Sequence, residues 1–235
     1  VPAYNEAETL KRNIKIISNG ISRILNNYEI IIAEDGSTDE TTKIVMEIAN
    51  ENPKVIHLHS SQRLGKGLAL KRAIKASEGE IITFMDADLA TNLMNLIQLL
   101  KSIEGGYGIT IGSRYVKGSY VERPLTRTIA SRAYNLLDNL LFEDGIQDHQ
   151  CGFKAFSRQA LESIIDDVKS NGFFFDTELI VKARWKGFLI TEIPVRWREM
   201  RKESTLRKII MLAPLMTWEL LMLKLSQFNR LRKVK

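Results

Sequence analysis

Two carboxylates with one residue between them, Asp86 and Asp88, follow directly on the apolar run of residues 81–85. Side chains two apart in extended chain project the same way, so both can face one ligand. A pair of hard oxygen donors suits Mg²⁺ or Mn²⁺, ions that keep several waters and complete their shells with substrate phosphates. The plainer reading is that Asp88 caps the helix expected near Leu93 while Asp86 is solvated. Two more polar segments sit at expected strand ends, where an α/β sheet binds its ligands. Pro2, Ala3, Tyr4, Asn5 and Glu6 form one, and Glu34, Asp35, Gly36, Ser37, Thr38 and Asp39 form the other, for which a turn and helix cap is the structural alternative.

The elements that must position these groups alternate in type. Leu10, Ile14, Ile17, Ile21 and Ile24 recur at a helical period within residues 6–25, and residues 28–33 read as a buried strand. Asp39 can cap a helix running to about residue 50, residues 55–59 form a short strand, and residues 67–77 a helix before the strand at 81–85. A helix over 93–103 and a strand over 108–112 follow. Further on, the pattern predicts helices over 127–141, 159–166 and 177–186 and a strand over 189–195. Such alternation implies an α/β fold, with a mostly parallel sheet, helices on both faces and ligands at the carboxyl ends of the strands.

At 235 residues with 44% hydrophobic side chains, the chain can bury one sizeable core. Its single cysteine, Cys151, excludes an internal disulfide framework and points to a reducing compartment. The net charge of +6 calls for an anionic partner but does not choose between nucleic acid, phosphorylated substrates and acidic lipid. Much of the excess lies late, at Arg196, Arg198, Arg201, Lys202, Arg207, Lys208, Arg230, Arg232, Lys233 and Lys235, flanking the apolar run 209–225. That arrangement fits a membrane surface better than a nucleic-acid groove. Pro214, Glu219 and Lys224 interrupt the run, which falls short of a spanning helix. It reads as two short interfacial helices, or one kinked at Pro214; packing on the domain or in a homo-oligomer interface is the alternative. No secretory signal is visible, and Val1-Pro2 reads as the end of a strand whose beginning is not included.

Several further residues invite chemistry. Gly65-Lys66-Gly67 lacks the spacing and ending of a phosphate-binding Walker loop. His57 and His59 share a strand face, but with no third ligand in view they read as ordinary strand residues. Cys151 reads as a small buried residue, and Asp176 and Glu178 as acids in the first turn of a helix, with a positioning role for Asp176. Arg114 stands at a strand end, and Arg127 and Ser131 lie one helical turn apart; guanidinium groups there fit a phosphate.

The ordered segments VPAYNE, EDGSTDET, RLGKGLALKRAI, DADLAT and IGSRY resemble a family 2 glycosyltransferase over nearly the whole chain. DHQCGFKAFSRQAL, FFFDTEL and EIPVRW resemble the dolichyl-phosphate mannose synthases and dolichyl-phosphate glucosyltransferases within it. The resemblance implies a Rossmann-like GT-A fold: a catalytic domain over 1–205 and amphipathic helices at the membrane interface over 206–235. It implies that Pro2, Tyr4, Asn5, Glu6 and Asp35 surround the nucleotide of the donor, with Lys66 close by. Asp86, Ala87 and Asp88 approach the diphosphate, the two carboxylates hold Mg²⁺ or Mn²⁺, and Asp88 meets the metal directly. Arg114, Arg127 and Ser131 lie near the lipid phosphate, and Arg201, with Arg198 as its rival, near the donor diphosphate. The mannose synthases resemble Asp-Ala-Asp-Leu-Gln where this chain has Ala90, so Thr91 or a water takes the place of a third ligand; the threonine is closer to the glucosyltransferase branch.

The activity so implied is inverting transfer of a hexose, mannose from GDP-mannose ahead of glucose from UDP-glucose, onto polyprenyl phosphate at the cytoplasmic face of a membrane. A phosphate acceptor is already ionised near neutral pH and needs no general base. The alternatives are a saccharide acceptor, which would need a catalytic carboxylate such as Asp176, and a basic nucleic-acid-binding module.

Overall fold

The computed structural model describes residues 1–200 and 205–233, with side chains in the last helix described over 211–228. In chain order the elements are β1 (Pro2–Ala3), α1 (Leu10–Ile21), β2 (Ile30–Asp35), α2 (Thr41–Glu51), β3 (Val55–Ser60), α3 (Lys66–Ala76) and β4 (Ile81–Phe84). A 3₁₀ turn (Leu93–Asn95) leads into α4 (Leu96–Glu104), followed by β5 (Ile109–Ser113), β6 (Tyr120–Glu122) and α5 (Leu125–Phe142). The chain continues through β7 (Lys154–Ser157), α6 (Arg158–Ile164), α7 (Phe175–Trp185), β8 (Ile190–Pro194), β9 (Arg196–Arg198) and α8 (Thr205–Lys233).

β1, β2 and β3 pair in parallel, and a second ladder runs β4-β7-β5-β8. Within it β5 and β8 are parallel, while β7 runs antiparallel between β4 and β5. β6 and β9 form a third, parallel pair, so four of the six strand pairings among the described residues are parallel and two antiparallel, the mixed GT-A arrangement. β7 had no strand signal in the sequence because Lys154 stands within it. Residues in it and just before it face two cores in alternation: Phe153 and Ala155 join α1, α2 and α4, whereas Phe156 joins α3, α6 and α7. Burial of both faces explains why β2, Ile30–Asp35, is buried at every position.

α8 is one continuous helix with Pro214 inside it, rather than two short helices. Its Leu220 and Leu223 pack with Phe174 and Val181 of the α7 region and with Tyr134, Leu137 and Leu141 of α5. The outer faces of both helices stay apolar and exposed: Leu125, Ile129, Leu136 and Leu140 on α5, and Met211, Leu215, Trp218, Met222 and Leu225 on α8. Among the described residues no helix is long and apolar enough to cross a membrane.

The turn from α5 to β7 is held by buried polar groups. His149 lies 2.8 Å from Asp144 through Nε2 and 3.3 Å from Asp138 through Nδ1, without hydrogen-bond alignment to the latter. Burial, opposed by His149, pushes the Asp138 carboxyl up to about 7. Between about pH 4 and 7 the folded state therefore binds more protons here than the unfolded state. The associated stability is full below about pH 4 and is lost as pH climbs through about 7. His149, also raised, acts in the same direction. From pH 5 to 8, urea unfolding should show the wild type losing roughly 1–3 kcal/mol more than Asp138→Asn; parallel profiles would refute this.

Candidate active site

The paired carboxylates lie beyond the end of β4, in a turn closed by the Leu89 N–H donating to the Asp86 carbonyl at 3.3 Å. A turn, not strand alternation, sets their directions, which corrects the expectation of extended chain. The buried Asn13 side chain on α1 donates to the Ala87 carbonyl at 2.9 Å and pins the corner, a contact sequence reasoning missed. The Ala90 N–H donates to Asp88 Oδ1 at 3.1 Å. Leu89 is left-handed at φ 55°, a conformation that costs a non-glycine residue roughly 1–2 kcal/mol.

Gly152, just before β7, closes the site from the other side, since a Cβ there would overlap the Asp86 carboxylate. The clash is with a side-chain end and not with backbone. Gly152→Ala should therefore keep its melting temperature within a few degrees yet weaken metal-dependent donor binding about tenfold, as calorimetry would show.

Behind the turn runs a buried chain of charges. Lys66, at the start of α3, places Nζ 3.6 Å from Asp86 and 3.2 Å from Asp176 on α7. Asp176 also pairs with the buried Lys154 at 2.8 Å. Burial alone would lower Lys66, but Asp176 and Asp86 outweigh it and hold the ammonium above its ordinary range. Burial likewise opposes ionisation of Asp176, and Lys154 and Lys66 more than reverse it, keeping the carboxyl below its usual range. The start of α3 reaches α7 because a Cβ at Gly67 would strike Phe175 and the 170–171 backbone.

The expected nucleotide-side residues gather at the ends of β1 and β2. Pro2 pairs with Ala33 across those strands, and the Tyr4 ring lies 3.8 Å beneath the Arg63 guanidinium. Asn5 accepts from the Thr38 N–H at 2.9 Å, and the Glu6 N–H donates to Thr41. Asp35 accepts from the Leu64 and Gly65 N–H groups at 2.7 and 3.0 Å, so it anchors the loop carrying Arg63. Arg63 was visible within RLGKG but its partner was not.

The arginines are distributed differently from expectation. Arg114 is largely but not fully covered, its side chain 9% exposed, and forms a bidentate pair with the buried Asp148 at 2.7 and 2.8 Å, so its charge is already matched within the fold. Arg127 pairs with Glu199, and Ser131 lies one turn further along α5. Arg201 lies outside the described residues. Arg198 lies on β9; its N–H donates to the Ala90 carbonyl beside the carboxylate turn, and its guanidinium meets Glu122 at 3.0 Å. Arg132, not singled out from the sequence, sits over the Tyr115 ring beside a groove of about 370 Å³ that Asn135, Leu136 and Asn139 also line.

Residues 1–165 match the family described as Glycosyl transferase family 2. This chain belongs to that family. Glycosyltransferase AglD of Haloferax volcanii is 42% identical over 200 residues, 84% of this chain and 32% of that protein. Dolichyl-phosphate beta-glucosyltransferase ALG5A of Trichomonas vaginalis is 33% identical over 210 residues, 85% of this chain and 65% of that protein. The transferase chain thus spans about a third to two thirds of the length of these curated relatives. In fold it is similar to glucosyl-3-phosphoglycerate synthase from Mycobacterium tuberculosis, solved with Mn²⁺, UDP and glucosyl-3-phosphoglycerate. That likeness has a TM-score of 0.69 at 23% identity and covers 96% of this chain and 77% of that one.

In this family 2 transferase the carboxylate turn fits a hard divalent ion. Asp86 and Asp88 are oxygen donors, and the described residues bring no third His, Cys, Asp or Glu into a cluster with both. For an ion held there, phosphate oxygens and water would complete the shell. Ala90 is buried, while Thr91 and Asp86 share the wall of a cavity of about 10 Å³, the size of one water. Glu178 accepts from the Lys169 and Ser170 N–H groups and pairs with Lys182, a structural role. Burial pushes the Cys151 thiol up to about 12, as suits a packing residue. Glu34, on the neighbouring strand, joins His57 and His59 as a third potential ligand that the sequence did not bring into view.

Proposed function

We propose that this family 2 transferase moves glucose from UDP-glucose onto a polyprenyl phosphate, with inversion, at the cytoplasmic face of a membrane. The observation that carries the reading is the pairing of a carboxylate turn with an exposed apolar face on α5 and α8. A charged donor and a greasy acceptor need those two surfaces in one molecule. The relatives named as dolichyl-phosphate glucosyltransferases turn the donor from mannose, preferred on sequence alone, to glucose.

A divalent ion bound at Asp86 and Asp88 supplies positive charge to the leaving diphosphate. The chain's own residues do the rest. Asn13 and Gly152 hold the turn in place, and Lys66 brings a permanent cation within 3.6 Å of Asp86. Arg132 shares the face of α5 that carries Leu125, Ile129, Leu136 and Leu140 and offers a donor to the acceptor phosphate with its lipid along that stripe, while Arg127, held by Glu199, and Ser131 stand on the other side of the helix. The phosphate is its own nucleophile and attacks the sugar carbon opposite the departing diphosphate, so a β-linked product forms from an α-linked donor. Asp176, engaged by two lysines, is not placed to act as a base, which disfavours a saccharide acceptor.

Calorimetric titration with UDP-glucose and with GDP-mannose, each with Mn²⁺, tests the donor. UDP-glucose should bind at least tenfold more tightly; the reverse order would restore mannose.

A further inference from the structure

We infer that Glu34, His57 and His59 form a second divalent-cation site, separate from the carboxylate turn and suited to zinc. Residues two apart on a strand share a face, so both imidazoles of β3 project together. The parallel register sets Ile32 beside His57 and Glu34 beside His59, which brings a carboxylate from β2 onto that face. The donor atoms of all three lie within 4.8 Å of one another.

Two features distinguish the cluster from a chance neighbourhood. The Glu34 side chain is fully buried and fixed in direction, with Oε1 accepting from the Ser37 N–H at 2.6 Å and Oε2 aimed at the imidazoles. His57 Nε2 is buried and has no hydrogen-bond partner, although it lies only 4.0 Å from Glu34 Oε2. A buried polar atom left unmade costs roughly 1–3 kcal/mol. The contact between Glu34 and His59 Nδ1, at 2.5 Å, satisfies His59 alone and does nothing for His57.

A bound ion satisfies both. Ligands about 2.0–2.1 Å from a tetrahedral metal sit about 3.3 Å apart. The separations from Glu34 Oε2, 2.5 Å to His59 and 4.0 Å to His57, bracket that value. The His59 side chain, 47% exposed, has room to swing and leaves an open side for water. Two imidazole nitrogens and one carboxylate favour zinc over the hard ions that suit Asp86 and Asp88. The ion would tie the ends of β2 and β3 together next to Asp35, which anchors the Leu64-Gly65 loop beside the donor site.

The test is direct metal binding, independent of transferase activity. The chelator-stripped protein is titrated with Zn²⁺ by calorimetry in excess Mg²⁺, and separately with Co²⁺ by visible absorption. Wild type should bind one Zn²⁺ per chain and give the intense bands of four-coordinate Co²⁺, and Asp88→Ala should retain both. His57→Gln and His59→Gln should each weaken zinc at least about tenfold, with unchanged circular dichroism without metal. Absence of a saturable zinc site in the wild type would overturn the inference. So would a site that survives both histidine substitutions or disappears in Asp88→Ala. The Co²⁺ spectrum of the wild type decides the matter even if a histidine variant folds poorly.

Discussion

Replacing Asp88 with alanine should lower initial rates of glucose transfer by roughly 10²–10³-fold while the protein stays folded. The carboxylate stands in a turn beyond β4, and its hydrogen bond from the Ala90 N–H is a short-range one that shapes the turn. Removing it withdraws a hard oxygen donor from the place where charge collects on the departing diphosphate, so the loss falls on the transition state. Rates measured across a Mn²⁺ titration, beside thermal melts of both proteins, provide the check. Unchanged transfer by a folded Asp88→Ala protein would show that the turn does not serve the reaction.

Asp176→Asn should cost about 3–5 kcal/mol of stability, the largest structural effect expected in the chain. Asp176 lies between Lys66 and Lys154, and Lys154 is fully buried and also donates to the Cys151 carbonyl. Deleting the negative charge leaves a buried ammonium uncompensated, which is far more expensive than never having buried the pair. Urea unfolding midpoints at an unchanged slope measure this. The same variant separates two roles: a proton-transferring Asp176 would lose activity at unchanged stability, whereas the pairing seen here predicts the opposite weighting.

The parts of the molecule legible in its sequence are those governed by short-range rules. Alternating apolar periods located the strands and helices through β5, and the motif Asp86-Ala87-Asp88 announced itself by type and spacing. Contacts between distant segments were not legible. Lys66 and Asp176 are 110 residues apart, and nothing in either neighbourhood names the other. Arg114 looked like a phosphate ligand because Asp148, which neutralises it, lies 34 residues on in an irregular segment. β7 was hidden because its lysine is buried by virtue of an acid on α7. The His57 and His59 pair seemed incomplete because its carboxylate comes from the adjacent strand, through a register that only the fold defines.

The most direct measurement is transfer of radiolabelled glucose from UDP-glucose into dolichyl phosphate in detergent, with Mn²⁺ or with EDTA. Label should enter the organic phase with Mn²⁺, disappear with EDTA, and be far weaker from GDP-mannose. No organic-phase label from UDP-glucose, despite demonstrated metal-dependent binding of that donor, would contradict the polyprenyl phosphate acceptor.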